Sequence, residues 1–159
     1  MSRMELDRDA NIRQAQPDFT WQSVERMPYK EEGAAPFHAI SRQVLFCGPE
    51  LECELRYFEM APKGYSTLER HEHAHAVMIL RGAGHCLIGN RVYSVRQHDL
   101  IRIPGLTWHQ FRATQDMPLG FLCMVNAERD KPQLPGAEEL AEFSTDPAVA
   151  AFLRGAPLE

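Results

Sequence analysis

Glu69-Arg70-His71-Glu72-His73-Ala74-His75 is the stretch of this 159-residue chain around which the remaining sequence is organised. Alternate side chains of an extended strand point to one face, with a rise of about 3.3 Å per residue. Glu69 and His75 would then lie roughly 20 Å apart, too far to share one ion with bonds of about 2.1 Å. The chain must therefore turn near residues 72–74 if a later histidine is to lie beside Glu69 and His71. His109 would have to come from a distant strand.

Short apolar segments separated by turn residues flank this cluster and indicate an all-β sandwich or barrel. Gly89-Asn90 is a two-residue hairpin signal between two of them, and residues 81–84 break the apolar run that follows His75. The predicted strands cover residues 37–47, 51–61, 65–69, 76–80, 84–88, 91–95, 100–103, 108–112 and 119–126.

Three regions follow from this pattern: an N-terminal arm over residues 1–36, a β-barrel over 37–127 and a helical appendage over 128–159. Residues 1–16 are polar and predict a frayed arm or a short helix. The arm's aromatic residues are expected to pack on the barrel or on a neighbouring subunit. Helical spacing and an early proline predict two short C-terminal helices, Ala137–Phe143 and Pro147–Arg154. Their predicted apolar face consists of Leu140, Phe143, Val149, Phe152 and Leu153.

Composition narrows the class of protein. Asp plus Glu exceed Lys plus Arg by 22 to 17, giving a net charge of −5 without a basic block, which argues against nucleic acid as a partner. No apolar run approaches the roughly 20 residues that span a bilayer, and no signal peptide is recognisable. The four cysteines lack CxxC spacing and are expected to be reduced. These features predict a cytoplasmic protein without a membrane partner.

Residues 55–125 resemble the cupin family. Its first motif is a turn glycine, H-x-H, a Glu or His soon after, an apolar strand and a glycine, and it is matched here by the run from Glu69 to Gly82. The second motif is matched from His98 to His109, through Pro104. The resemblance implies a double-stranded β-helix (jelly-roll) barrel, with an extended N-terminal arm and short C-terminal helices added to it. It also implies a homodimer.

When the first cupin motif is aligned on Gly82, the glycine after the apolar strand, the resemblance implies a metal site made of one carboxylate and three imidazoles. The predicted ligands are Glu69, His71, His75 and His109. In this registration Glu69 replaces the first motif histidine, and His73 lines the mouth of the site or carries protons. Further departures from the motifs are His98 and Leu106 in place of glycines, and Ala113 in place of an asparagine. An alternative registration takes His71 and His73 as the H-x-H pair, but it shifts the glycine spacing by two residues.

Such a ligand set suits Fe, Mn, Ni or Zn, so one divalent transition metal is the expected cofactor. The resemblance then implies a small-molecule metalloenzyme of dioxygenase, isomerase or lyase type that acts on a small polar or anionic metabolite. His73 is a candidate catalytic residue because it could carry protons. Tyr57 is the second candidate, because it lies, like Cys123, on a strand that could face the barrel interior. Two alternatives stay open: a non-catalytic ligand-binding or sensing module, and an interaction protein for which the barrel is a scaffold.

Overall fold

The computed structural model describes residues 11–48 and 50–158, so residues 1–10 of the predicted arm lie outside the described part of the chain. The strands are β1 (Ala15–Gln16), β2 (Thr20–Trp21), β3 (Met27–Pro28), β4 (His38–Gly48), β5 (Cys53–Tyr65), β6 (His75–Ile88), β7 (Arg91–Arg96), β8 (Leu100–Ile103), β9 (His109–Ala113) and β10 (Leu119–Asn126). Two helices follow, α1 (Ala137–Phe143) and α2 (Pro147–Arg154). None of the helices in the described residues is long and apolar enough to span a membrane.

Strand β6 joins the two halves of an antiparallel barrel. Its first half pairs with β8 and β10, and its second half pairs with β7 and β9. Strand β5 contacts β4 and β10, and its last residue, Tyr65, reaches Arg112 of β9. The structure confirms the predicted all-β jelly-roll barrel, and the hairpin at Gly89-Asn90 connects β6 to β7 as expected.

The prediction that residues 81–84 break the chain into two strands is wrong. The 14-residue β6 continues through this segment, with a register shift against β10. Gly82 has a positive φ of 70°, and a Cβ there would lie 1.8 Å from the backbone oxygen of Pro118. Glycine therefore lets β6 bend and pass from one sheet to the other without ending.

The apolar core fills the barrel interior, and its buried members include Met60, Ile79, Leu119 and Phe121. The N-terminal arm covers the outside of β5, where Phe19 and Trp21 pack on the ring of Tyr57. Both faces of β5 are thus buried, one by the core and the other by the arm.

The two helices begin and end at the predicted residues. The side chain of Asp146 caps α2 by accepting hydrogen bonds from the backbone of Ala148 and Val149. Buried α1 and α2 side chains pack with Leu68 and Leu87 to form a second apolar cluster. Of the predicted apolar face, Phe143, Val149 and Phe152 are buried, whereas Leu140 is exposed.

Candidate metal centre

Three imidazoles converge at one place inside the barrel. His71 precedes the bend over residues 72–73, His75 begins β6, and His109 begins β9. One ring nitrogen from each of the three lies within 4.8 Å of the others, and Nε2 of His71 lies 2.8 Å from Nε2 of His75. The bend supplies the change of direction that the sequence requires, because it returns His75 to the side of His71.

The second ring nitrogen of each imidazole is held by a neighbouring group. Nδ1 of His71 donates to the backbone oxygen of His73 at 2.9 Å, and Nδ1 of His109 donates to that of Thr107 at 2.9 Å. A carbonyl can only accept, so both Nδ1 atoms carry the proton and both Nε2 lone pairs are available as ligands. Nδ1 of His75 lies 2.9 Å from Sγ of Cys123. Metal-binding histidines are oriented by contacts of this kind.

Burial keeps these imidazoles neutral. It lowers the pKa of His71 to about 4 and that of His75 to about 2, and the neighbouring imidazoles add to both shifts. Burial also lowers the pKa of His109. Neutral imidazole is the form that coordinates metals, and nitrogen donors suit divalent transition metals better than calcium or magnesium. The chemistry of these donors therefore fits the predicted metal.

The carboxylate of Glu69 lies in the same cavity but is not among the converging ligand atoms. It forms an ion pair with Lys30 of the N-terminal arm. The backbones of Glu69 and His109 are hydrogen-bonded opposite each other, which places both side chains on one face of the sheet. Glu69 thus lies beside His109, and Lys30 competes with a metal ion for its carboxylate. The role of Glu69 as a fourth ligand stays a prediction.

His73 lines the cavity, and so does Asp130, a residue that the sequence did not predict. Its ring stacks on that of His71 at 3.7 Å, and its Nδ1 lies 2.9 Å from Oδ1 of Asp130. The other oxygen of Asp130 accepts a hydrogen bond from the backbone of Glu72 at 2.8 Å. These hydrogen bonds lower the pKa of Asp130 to about 2, so it is ionised beside the imidazole. An imidazole oriented by a carboxylate is a suitable proton carrier.

Tyr57 does not line the cavity, which removes the reason for the predicted catalytic role. Its hydroxyl donates to Oε2 of Glu59 at 2.9 Å, and its ring packs beneath the arm residues Phe19 and Trp21. The neighbouring Phe58, on the opposite face of β5, lines the cavity instead. Alternation along the strand therefore places Tyr57 outside the barrel.

The cavity that contains the histidines has a volume of about 220 Å³. Besides the triad, it is lined by apolar core side chains, the thiol of Cys123 and several cationic groups. The described residues with cationic side chains in its wall are Lys30, Arg42, Arg56 and Arg129. Lys30 comes from the arm, and Arg129 and Asp130 come from the charged segment after β10. The run of charges at residues 128–131 is the sole sequence signal for the latter pair.

Comparison with known proteins agrees with this architecture. Residues 56–125 match the cupin domain family. The chain is also 58% identical, over 147 residues, to 1-methylthio-D-xylulose 5-phosphate methylsulfurylase from Rhodospirillum rubrum. That alignment covers 92% of this chain and 94% of the relative. The chain belongs to the cupin family.

Crystal structures of other cupins have the same fold. A cupin-2 domain from Rhodospirillum rubrum, 58% identical, superposes with a TM-score of 0.82 and covers 91% of this cupin and 97% of that chain. A cupin-2 barrel protein from Rhodopseudomonas palustris, 56% identical, also gives 0.82, covering 89% and 97%. A cupin-2 protein from Halorhodospira halophila, 39% identical, gives 0.67, covering 91% and 94%. The similarity thus includes most of the arm and the C-terminal helices as well as the barrel.

Proposed function

We propose that this cupin is a metal-dependent enzyme that removes the methylthio group from a 1-methylthio ketose 5-phosphate. The observation that carries the proposal is the convergence of three neutral imidazoles in a cavity that also contains cationic side chains and a thiol. The name of the Rhodospirillum rubrum relative supplies the substrate. The alignment is 58% identical and covers 92% of this chain, which supports assigning the same substrate here. A phosphorylated sugar is also a small anionic metabolite of the kind the sequence predicts.

The chemistry of such a substrate defines what the site must do. The sulfur is bonded to C1, next to the C2 ketone. If the C1–S bond breaks with its electron pair left on carbon, the ketone takes up that pair as an enolate. The opposite polarity would leave a cation beside a carbonyl, so the methylthio group must pass to a nucleophile such as a thiol.

This transfer balances without a further oxidant or reductant. The thiol R–SH and the substrate CH₃S–C1 become the disulfide R–S–SCH₃ and the product H–C1. The thiol sulfur is oxidised, C1 is reduced, and the thiol proton ends on C1. The product is a 1-deoxyketose 5-phosphate.

Residues that line the cavity can hold the metal and transfer the proton. A divalent metal held by His71, His75 and His109 would supply a Lewis acid at the ketone oxygen. The His73–Asp130 pair lines the cavity and carries the proton to C1. Glu69 is the candidate fourth ligand once its carboxylate leaves Lys30.

Cys123 is the candidate thiol because its Sγ lies in the cavity wall, 2.9 Å from Nδ1 of His75. Burial raises the pKa of this thiol, and the positive charge of Arg56, 3.8 Å away, opposes that shift. Cys123 would accept the methylthio group as a methyl disulfide. A second, soluble thiol would then restore the cysteine and leave with the methylthio group.

Proton NMR of a synthetic substrate tests the proposal. Purified protein is reconstituted separately with Fe²⁺, Mn²⁺, Ni²⁺ and Zn²⁺ and incubated with 1-methylthio-D-xylulose 5-phosphate and dithiothreitol. We expect the methylthio signal of the sugar to disappear while the C1 methyl signal of the deoxyketose appears. Unchanged substrate with all four metals would overturn the proposal.

The Cys123→Ser variant tests the thiol separately, with Cys53→Ser as a matched control because Cys53 lies on β5 but does not line the cavity. We expect Cys123→Ser to lose turnover and Cys53→Ser to keep it. Mass spectrometry of the wild type without dithiothreitol should detect one methylthio group on Cys123. Full turnover by Cys123→Ser would assign the transfer to the soluble thiol alone.

A further inference from the structure

Three guanidinium groups form a cluster in the wall of the cavity that contains the histidines. Arg42 lies on β4, Arg56 on the adjacent β5, and Arg129 just after β10. The groups are close enough for the positive charges of Arg56 and Arg129 to lower the pKa of Arg42, in addition to the effect of burial. Arginine stays charged in proteins, so three positive charges share this part of the wall.

The ion pairs of the described residues do not neutralise the cluster. Within the described residues, Glu54 is the carboxylate that contacts it, 3.7 Å from Nε of Arg56 and 3.5 Å from Nη1 of Arg129. Arg42 has neither a carboxylate partner nor a side-chain hydrogen bond among those residues, and its buried Nε lacks an acceptor. One negative charge against three positive ones leaves an excess of two among these contacts. Arg42 and Arg56 are half-buried and Arg129 is exposed, so an anion that enters the cavity can reach the cluster and offset this excess.

The cluster is next to the metal centre. Nη2 of Arg56 lies 3.8 Å from Sγ of Cys123, and the same sulfur lies 2.9 Å from Nδ1 of His75. The sulfur of Cys123 therefore lies between the guanidinium group of Arg56 and the imidazole of His75. A ketose 5-phosphate also carries its two recognisable groups close together, with the ketone at C2 and the phosphate on C5.

We propose that Arg42, Arg56 and Arg129 form the subsite for the phosphate of the substrate, an inference that rests on the proposed function. A phosphate monoester carries about −1.5 to −2 charges at neutral pH, which matches the excess of the cluster. Guanidinium groups bind phosphate oxygens in a bidentate manner. With the phosphate held there, the ketone and the C1–S bond lie beside the imidazoles and the thiol of Cys123.

Arg42→Met is the most informative variant because no carboxylate of the described residues pairs with Arg42, so the substitution leaves none of them without its partner. The turnover of 1-methylthio-D-xylulose 5-phosphate is compared with that of 1-methylthio-D-xylulose, which lacks the phosphate. We expect kcat/KM for the phosphorylated substrate to fall by roughly 10- to 100-fold in the variant, while that for the unphosphorylated sugar stays constant. Arg102→Met is the control, since Arg102 is an exposed arginine on β8.

The outcomes separate the two proposals. If the wild type favours the phosphorylated substrate and Arg42→Met and Arg129→Met both keep that preference, the subsite is wrong and the proposed function stands. If the wild type turns over neither sugar, the proposed function is wrong, and calorimetric titration with D-ribulose 5-phosphate then decides the subsite. Weaker binding in Arg42→Met than in Arg102→Met would support it, and equal binding would overturn it.

Discussion

The histidines and the arginines of this cavity are organised in opposite ways. Each imidazole of the triad has its Nδ1 held by a neighbouring group and is kept neutral by burial. The guanidinium groups are charged, and they outnumber the one carboxylate that contacts them among the described residues. The first arrangement is prepared for a cation and the second for an anion. A metal and a phosphorylated substrate can therefore occupy one cavity without competing for the same side chains.

Removal of one imidazole should have the largest effect on this arrangement. We expect His71→Ala or His109→Ala to lower metal affinity by more than about 100-fold and to abolish turnover, because each removes a ligand rather than a supporting contact. Metal content after a chelator challenge, measured by plasma mass spectrometry, checks this. His98→Asn is the control, since His98 lies in an exposed turn with a φ of 73° that asparagine tolerates. Equal metal retention in all variants would contradict the triad.

The proton carrier should be separable from the ligands. We expect His73→Ala to retain metal and to lose about 10²- to 10⁴-fold in kcat, and Asp130→Asn to lose less. Glu72→Gln is the control, because this neighbouring carboxylate is exposed and its backbone alone contacts Asp130. Steady-state kinetics with metal analysis of the same samples give both quantities. Loss of metal in His73→Ala with retention in Glu69→Ala would favour the alternative registration.

Glu54 tests whether the excess charge of the arginine cluster is unfavourable in the absence of an anion. Glu54→Gln removes the carboxylate that contacts Arg56 and Arg129, and it should lower the free energy of unfolding by about 1–3 kcal/mol. Inorganic phosphate should recover part of this loss, because it supplies the missing negative charge. Urea denaturation with and without phosphate measures both effects, with the exposed Glu50→Gln as a control. A variant as stable as the wild type would contradict the description of the cluster.

Acid should act on the histidines and leave the arginines charged. In the unfolded chain a histidine has a pKa near 6.5, whereas burial lowers the pKa of His71 to about 4. Between these pH values the unfolded state binds a proton that the folded state excludes. The contribution of His71 to the free energy of unfolding is therefore fully present above about pH 6.5 and decreases towards pH 4. We expect metal-free protein to lose on the order of 2 kcal/mol from about pH 7 to about pH 4.5. A flat profile in urea denaturation would contradict the burial of the triad.

Tyr57→Phe should have the smallest effect. It removes the hydrogen bond to Glu59 outside the barrel and should cost about 1 kcal/mol of stability. Turnover should stay within about twofold of the wild type, because Tyr57 does not line the cavity. A large fall in kcat with unchanged stability would return Tyr57 to the candidate catalytic residues.

The sequence was sufficient for the features that local patterns encode. The bend after His71, the hairpin at Gly89-Asn90 and both C-terminal helices follow from spacing and turn residues. Gly82 shows the limit of such reasoning. A glycine within an apolar run indicates a break, yet here it lets one strand bend under tertiary contacts with the chain around Pro118.

The residues that complete the site could not be predicted because no periodic pattern places them. Lys30 lies in the arm, and Arg129 and Asp130 follow the last strand, so their positions depend on how these segments fold over the barrel. The face of Tyr57 was also undetermined. Both faces of β5 carry large apolar side chains, since one contacts the core and the other lies under the arm.

Anomalous diffraction from crystals of the metal-loaded protein tests the central claim most directly. Data collected on both sides of the absorption edge of the metal locate the ion independently of the protein coordinates. We expect one ion bonded to Nε2 of His71, His75 and His109 at about 2.0–2.2 Å, with the imidazole of His73 outside the ligand set. An ion bound by His73 instead of His75, or no ion between the three imidazoles, would contradict the account.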